Sequence, residues 1–569
     1  MKMFPRDFVR EAKDQIRDMI AGAISVAVQS QELPDAAFPV FTVEIPADSS
    51  HGDFAANTAM VSAKAFRLAP AKIANIICKH LDFSGTHFQS ASVAGPGFLN
   101  FFLGADWYGQ VILEVSTAKS SYGRTNFGAG EKVMVEFVSA NPTGPMHMGN
   151  ARGAALGDVL AGVMEAAGFD ISREFYLNDA GNQIEKFAIS LEARYLQIFK
   201  GEEAVPFPDD GYQGDDIKDR ARQYADIHGD KLLDCDCAER RQKLSDFALP
   251  INIDNMKNAL SRYRVNYDLW FRESELYNNG LVEKIVSILR QRGHAYDKDG
   301  AIWYAATNFG AEKDEVLIRQ NGNPTYFAAD IAYHYNKFAI RGFSRVINIW
   351  GADHHGHVAR LKGALDALDL NGDKLSIVLM QLVRLLKDGE PYRMSKRSGR
   401  AVSLVDLLDD VPIDAARFFF NMNSPGSAMD FDLDLAIKQS SDNPVYYVQY
   451  AHARICSIIS RLGEEGISPR ECSARELSAA LIAPEELALI RLMARFPGDV
   501  ASCAARLDPS GMTHFATELA NLFHKFYAAC RVKGEEDSIM YCRLFLCSCV
   551  RIVLANLLSL LKVDSPSSM

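Results

Sequence analysis

The chain has 569 residues, 48% hydrophobic and 23% charged, which excludes a disordered or fibrous protein and indicates several folded domains. Its formal net charge of −11 argues mildly against nucleic-acid binding over the whole surface, although local charge decides such binding. The ten scattered cysteines predict free thiols in a reducing cytoplasm, and we expect no segment to cross a membrane.

The first 115 residues predict a separate α+β domain. A helical pattern over 8–28 is followed by strand-like runs, and one of these covers 94–103. The polar, glycine-containing stretch 120–126 then predicts a linker to the next domain.

The centre of the chain predicts an α/β domain built on a Rossmann-like parallel sheet. Residues 125–185 have the order strand, glycine-rich turn, helix and strand, which is a βαβ unit and the first half of the sheet. Residues 186–290 are more polar and mostly helical, and they predict an insertion. The second half is expected in 291–440, with strand signals at 301–304, 316–318, 346–350 and 375–380.

Residues 443–569 predict a third domain that is entirely α-helical, because apolar residues recur there with a period near 3.6. Aromatic and basic side chains alternate near its start, at Tyr450, His452 and Arg454. Proteins bind single-stranded RNA loops by stacking bases on such rings and by arginine contacts. We therefore expect these three residues to contact RNA.

The segment His147-Met148-Gly149-Asn150 follows an apolar strand and opens a helix rich in alanine and glycine. Free N–H groups and the helix dipole make such a helix start an anion site. Gly144 and Pro145 fix the preceding turn, and Gly149 leaves room for a nucleotide. His147 and Asn150 lie on one side of the first turn, so both can donate to phosphate oxygens.

A second segment, Arg393-Met394-Ser395-Lys396, lies in a stretch with six basic and two acidic residues over 384–400. Phosphoryl and nucleotidyl transfer depend on positioning and on charge neutralisation by Lys, Arg and Mg²⁺. We therefore expect Met394, Ser395 and Lys396 to bind ATP together with the first segment, and His147, Asn150 and Lys396 to be catalytic. The required Mg²⁺ is expected to arrive with ATP.

No metal held by the protein itself is predicted. The close pair Cys235 and Cys237 lacks the spacing and the second half of a zinc site. The cluster Asp353-His354-His355-Gly356-His357 leaves a zinc site open, but it follows a strand at the edge where such sheets bind ligands. We favour a substrate-facing role for Asp353 and a nucleotide- or RNA-facing role for one of the histidines.

The two segments resemble the signature motifs of class I aminoacyl-tRNA synthetases, and the chain is more narrowly similar to bacterial-type arginyl-tRNA synthetases. The stretches that carry the narrower resemblance are His51–Ala55, Ser139–Pro145, Leu177–Gln183, Thr325–His334, Gly351–Gly356 and Asn443–Arg454. Two positions depart from the family pattern, because Asn150 stands where the family has histidine and Arg393 where lysine is common.

The resemblance implies an enzyme that joins L-arginine to its tRNA by way of an arginyl-adenylate, and that needs tRNA even for the first step. It implies an N-terminal domain that touches the tRNA elbow and a C-terminal domain that binds the anticodon. By the same resemblance Glu136, Ser139, Asn141, Tyr326 and Asp330 match the arginine pocket, which Asp353 is expected to join. We expect a cytoplasmic monomer.

The chemistry of arginine agrees with this assignment, since a planar guanidinium is best bound by carboxylates in a two-pronged geometry. On that basis Glu136 is expected to bind the ammonium group and Asp330 the guanidinium. Three alternatives remain open at this point: another class I synthetase, a nucleotidylyltransferase with the same fold, and a non-catalytic tRNA-binding relative.

Overall fold

The computed structural model describes residues 4–392 and 402–569. The helices are α1 Phe8–Gln29, α2 Thr58–Phe66, α3 Pro70–Lys79, α4 Ala105–Ala118, α5 Met148–Ala166, α6 Asn182–Lys200, α7 Asp215–His228, α8 Cys237–Arg262, α9 Glu273–Asn278, α10 Leu281–Gln291, α11 Tyr326–Tyr335, α12 His355–Ala367, α13 Leu404–Asp410, α14 Ile413–Phe420, α15 Leu433–Ile437, α16 Pro444–Glu464, α17 Ala474–Ala480, α18 Pro484–Arg506, α19 Ser510–Ala529 and α20 Asp537–Leu560. The strands are β1 Val43–Glu44, β2 Phe54–Ala56, β3 Phe88–Ala94, β4 Phe98–Leu103, β5 Lys132–Glu136, β6 Asp170–Leu177, β7 Leu269–Arg272, β8 Ala295–Lys298, β9 Ala301–Tyr304, β10 Glu315–Ile318, β11 Arg345–Gly351, β12 Leu375–Met380, β13 Val383–Lys387, β14 Glu390–Pro391 and β15 Met429–Asp432.

The N-terminal domain is α+β, as predicted, with a four-stranded antiparallel sheet in the order β1-β2-β4-β3. Asp53 joins this domain to the helical one: its carboxylate accepts hydrogen bonds from Leu103 N at 2.8 Å and from Arg491 Nε, on α18, at 2.6 Å. Gly52 precedes it with φ +85°, and a Cβ there would lie 2.7 Å from the carbonyl oxygen of Phe101. A turn that tight requires glycine.

The stretch 120–126, predicted as a linker, is packed into the molecule. Tyr122 is buried, and its hydroxyl donates to the carbonyl oxygen of Met493 on α18 at 3.0 Å. A Cβ on Gly123, which has φ +98°, would collide with the ring of Phe496. The stretch therefore fixes the helical domain against the rest of the chain.

The central domain contains a five-stranded parallel sheet in the order β12-β11-β5-β6-β7. The predicted βαβ unit is confirmed, because β5 and β6 pair in parallel on either side of α5 in the chain. Two expectations change. β7 pairs with β6 although its residues fall in the predicted insertion, and β9 and β10 form a separate antiparallel sheet with β8.

The C-terminal part, α16 to α20, is all helical, as predicted. By length and composition alone α20 could span a membrane, although no such segment is expected from the sequence. In the fold it packs on α16, α19 and α4, and 56% of its most apolar window is buried. A core helix of a soluble domain has the same properties.

Candidate functional site

A cavity of about 480 Å³ opens beside the carboxyl ends of β5, β6 and β11 and is closed on one side by α11. Ligands of parallel α/β sheets bind at this edge. The polar side chains that line the cavity are Glu136, Ser139, Tyr176, Asn178, Glu273, Tyr326, Asp330, Asp353, His354, His357 and Arg360. Five of the six residues predicted to bind arginine are therefore brought together.

Glu136, at the end of β5, is 5% exposed and forms a buried ion pair with Lys337. The Lys337 Nζ donates to Glu136 Oε2 at 2.5 Å and to Asn348 Oδ1 at 3.3 Å, and it lies 3.9 Å from the centre of the Tyr333 ring. Lys337 itself is fully buried and belongs to a short π-helical turn, Asn336–Ile340. Sequence reasoning did not single it out.

The backbone after β5 is strained. Val138 has φ +72° and Ser139 φ +39°, and a positive φ is rare for a β-branched residue. The hydroxyl of Ser139 donates to Glu136 Oε1 at 2.8 Å and accepts from Tyr176 N at 3.1 Å, which holds the turn in place. Strain of this kind persists where the surroundings enforce it, and such positions cluster at binding sites.

Asp330 and Tyr326 lie one turn apart on α11, as predicted, and both line the cavity. Asp330 Oδ2 is 2.6 Å from His357 Nε2 on α12. Burial alone would raise the pKa of the Asp330 carboxyl, but the hydrogen bond to His357 and the charge of Lys337 lower it below its usual value. Asp330 is thus an anion in the free protein.

Glu273, at the start of α9, is a third carboxylate of the cavity, which sequence reasoning missed. It is fully buried and accepts hydrogen bonds from Asn178 Nδ2 and from the hydroxyl of Tyr277, both at 3.2 Å. Burial raises its pKa to about 7. The local sequence indicates no functional residue there, because Glu273 follows a strand of only four residues in a stretch whose pattern predicts a helical insertion.

The first signature segment forms the start of α5. His147 is the N-cap, with its Nδ1 accepting from Gly149 N at 3.1 Å, while Asn150 Oδ1 accepts from His147 N at 3.0 Å. A Cβ on Gly149 would lie 2.9 Å from the His147 ring, so a side chain there would displace that ring. The predicted turn residues Gly144 and Pro145 come just before, and Pro145 is exposed.

Met394, Ser395 and Lys396 lie outside the described residues. The described chain resumes at Val402 and contacts the first segment there, since Met148 N donates to Val402 O at 2.9 Å and Leu404 N to Met146 O at 2.7 Å. Residues 402–404 thus lie beside the start of α5, although about 250 residues separate the two in the sequence.

The remaining predicted pocket residues differ in position. Asn141 does not line the cavity; its amide donates to the carbonyl oxygen of Asn178 at 3.1 Å and so supports the wall. Asp353 lies at the rim with its side chain 82% exposed. Of the three clustered histidines, His354 and His357 line the cavity, and His357 is the one that reaches Asp330.

A second cavity, of about 820 Å³, lies between α16 and α19 in the helical domain. Arg454 crosses it: its Nη1 donates to the Tyr450 hydroxyl at 2.7 Å, and its guanidinium lies 4.2 Å from the centre of the Tyr527 ring. The other cations that line it are Arg461, Arg531 and Lys533.

His452 does not share this cavity with Tyr450 and Arg454. It is 6% exposed, and its Nδ1 lies 2.8 Å from the carbonyl oxygen of Pro566 in the C-terminal tail. Burial lowers its pKa, which favours the neutral ring. Tyr450 and Arg454 are four residues apart and share one face of α16. His452 is two residues from each, so it lies on the opposite face of the helix, where it contacts the C-terminal tail.

Within residues 4–392 and 402–569, no group of three or more His, Cys, Asp or Glu side chains is arranged to hold a metal ion. The hydrogen-bond donors at the start of α5 are the imidazole ring of His147, the side-chain amide of Asn150 and backbone N–H groups. Such donors suit phosphate oxygens rather than a cation. Mg²⁺ prefers to keep several waters and to bind through substrate phosphates, and it fits this site only as a companion of ATP.

The fold is that of a class I aminoacyl-tRNA synthetase. It has a parallel sheet with a ligand cavity at its carboxyl edge, the first signature segment at the start of α5, and a separate helical domain. Family models agree. Residues 112–432 match the catalytic domain of class I tRNA synthetases of the arginine type, 13–103 match the arginyl-tRNA synthetase N-terminal domain, and 448–569 match the DALR anticodon-binding domain.

Relatives and solved structures point to the same family. The chain is 53% identical to the arginine–tRNA ligase of Acetivibrio thermocellus, over 99% of both chains, and 52% identical to that of Ruminiclostridium cellulolyticum, over 98% and 99%. A Campylobacter jejuni structure described as an arginyl-tRNA synthetase aligns with a TM-score of 0.74 and 31% identity, covering 82% of this chain and 100% of that one. The Thermus thermophilus enzyme shares the fold, with a TM-score of 0.72, 22% identity and coverage of 97% and 100%. The chain belongs to the arginyl-tRNA synthetases.

Proposed function

We propose that the chain is an arginine–tRNA ligase, which activates L-arginine with ATP and transfers it to the 3′-terminal adenosine of its tRNA, releasing pyrophosphate and AMP. The observation that carries this function is the cavity at the sheet edge, where the carboxylates of Glu136, Glu273 and Asp330 face one space of about 480 Å³ and that of Asp353 lies at the rim. A cationic amino acid fits such a cavity, and the 53% identity to an arginine–tRNA ligase over 99% of the chain agrees with it.

In the proposed pocket the guanidinium lies against Asp330 and Glu273 and the ammonium group against Glu136 and Ser139. Two carboxylates at one end match the five donors of a guanidinium, whereas the single ammonium of lysine would leave one of them poorly satisfied. Glu136 is held by Lys337, so it contributes a fixed hydrogen-bond acceptor more than a free charge. The uncompensated negative charge of the pocket then comes from Asp330, joined by Glu273 when its carboxyl group is ionised.

ATP binds at the start of α5, where Gly144, Pro145 and Gly149 shape the backbone and Met394, Ser395 and Lys396 contribute from the second segment. A carboxylate oxygen of arginine attacks the α-phosphorus, the bond from that phosphorus to the bridging oxygen breaks, and pyrophosphate leaves. His147 and Asn150 donate to the phosphate oxygens, and Lys396 neutralises the developing charge. Mg²⁺ bound to ATP supplies further charge neutralisation when present.

The terminal ribose hydroxyl of tRNA then attacks the arginyl carbonyl, and AMP leaves. Tyr450 and Arg454 bind the anticodon region of the tRNA, together with Tyr527 in the same cavity. We assign His452 a supporting role there through its bond to the tail. We further propose that the protein is a cytoplasmic monomer.

Aminoacylation of tRNA with each of the twenty amino acids tests this function in one assay. We expect a charged product with arginine alone, and ATP–pyrophosphate exchange only when tRNA is present. A different amino acid in the product would overturn the pocket assignment. Exchange that runs equally fast without tRNA would contradict the proposed requirement for tRNA in the first step.

A further inference from the structure

His357 lies between two aromatic side chains and directs one nitrogen at Asp330. Its ring centre is 5.5 Å from that of Phe327, nearly perpendicular, and 5.6 Å from that of Trp350. Its Nε2 is 2.6 Å from Asp330 Oδ2. Because neighbours on two sides hold the ring, the direction of this hydrogen bond is set by packing rather than by Asp330.

This bond constrains the carboxylate that we assign to the guanidinium. The terminal torsion of aspartate is broad, so an unsupported carboxylate samples many planes. A two-pronged bond with a guanidinium needs both oxygens in the plane of the ligand, whereas an ammonium group bonds to a carboxylate in any orientation. A fixed plane therefore favours arginine over lysine.

The other polar groups near Asp330 cannot fix the plane of its carboxylate in place of His357. His334 Nδ1 contacts the backbone carbonyl of Asp330 rather than its carboxylate, at 2.8 Å, and Arg360 is paired with Glu315. Lys337 is bonded to Glu136.

We propose that His357 is a positioning residue that sets the plane of the Asp330 carboxylate for two-pronged binding of arginine and thereby adds to the selectivity against lysine. This inference rests on the proposed function, since it needs Asp330 to bind the guanidinium. His357 itself touches the carboxylate and not the reacting atoms.

Two variants separate the hydrogen bond from packing. His357→Gln keeps an N–H donor at a similar reach and loses the ring, and His357→Phe keeps the ring and loses the donor. For His357→Phe we expect the KM for arginine to rise about 10-fold, while the KM for ATP, kcat and the inhibition constant of L-lysine change by less than about threefold. His357→Gln should stay within about threefold of the wild type in all of these.

Asp330→Asn, alone and combined with His357→Phe, separates this inference from the proposed pocket. We expect Asp330→Asn to raise the KM for arginine by about 100-fold or more, and the added His357→Phe to have no further effect. A normal KM in Asp330→Asn would overturn both the pocket and the inference. Equal defects in the Gln and Phe variants, a normal His357→Phe, or additive effects in the double variant would overturn the inference alone.

Discussion

The two cavities of the molecule have opposite charge. The cavity at the sheet edge is lined by Glu136, Glu273 and Asp330, and the one in the helical domain by four cations, among them Arg454. The first suits a small cation and the second a polyanion. A net charge of −11 for the whole chain conceals this division, so local charge is the better guide to its ligands.

The cavities also differ in how their charges are held. Glu136 forms a buried ion pair with Lys337, and Asp330 is hydrogen-bonded to His357, and such contacts fix geometry. Arg454 is held by the rings of Tyr450 and Tyr527. Fixed carboxylates suit the discrimination of one amino acid, and ring-supported arginine suits bases that stack in varied orientations.

The largest effect is expected from breaking the buried ion pair of the sheet-edge cavity, Glu136 with Lys337. Glu136→Gln leaves the Lys337 charge uncompensated at a fully buried position, which costs about 3–5 kcal/mol of folding stability. Chemical denaturation measures this loss. The double variant Glu136→Gln with Lys337→Met should regain most of the stability while arginine binding stays impaired. If the double variant is as unstable as the single one, the loss of stability does not come from the unpaired charge of Lys337.

Next in size is Glu273→Gln, which removes the charge that we assign to the guanidinium. We expect the KM for arginine to rise about 100-fold, or about 2–3 kcal/mol, with the KM for tRNA unchanged. The free protein should become more stable at pH 8, because a buried carboxylate with a raised pKa is costly once ionised. An equal loss for arginine and tRNA would remove the functional distinction between the cavities.

Glu273 should also make folding stability and arginine binding depend on pH. Burial raises the pKa of Glu273 to about 7, whereas its ordinary value is 4.5, so its contribution to folding stability falls as pH rises through that range. Arginine binding needs the ionised form, and the KM for arginine should therefore fall about 10-fold from pH 6 to pH 8. Glu273→Gln should lack this change; if the variant keeps it, another group is responsible.

A smaller effect is expected in the helical domain. Arg454→Gln should lower kcat/KM for tRNA about 10-fold and weaken its salt dependence, with the KM for arginine unchanged. Arg470→Gln is the matched control, since Arg470 also lies over a tyrosine ring, Tyr541 at 5.0 Å, but does not line the cavity. Equal losses in both variants would indicate a general charge effect.

The smallest effect concerns the start of α5, which belongs to neither cavity. Asn150→Ala removes the acceptor that caps His147 N and should cost about 1 kcal/mol of stability. Adenylate formation should slow, with the KM values for arginine and tRNA unchanged. Asn150→His tests whether a charged donor at this position accelerates the first step, and an unchanged rate would show that the amide is sufficient.

The βαβ unit and the all-helical C-terminal part could be predicted because their apolar periods are long and regular. Glu136, Tyr326 and Asp330 could be placed by motif. Lys337 could not, since a buried lysine resembles a surface lysine until its partner 201 residues away is known. Glu273 was missed because the short strand before it has no clear alternation.

A crystal structure of the protein with L-arginine tests the central claim most directly. We predict that the guanidinium lies within hydrogen-bond distance of both Asp330 and Glu273, with the ammonium group near Glu136 and Ser139. Arginine bound in the reverse orientation, or outside this cavity, would contradict the account.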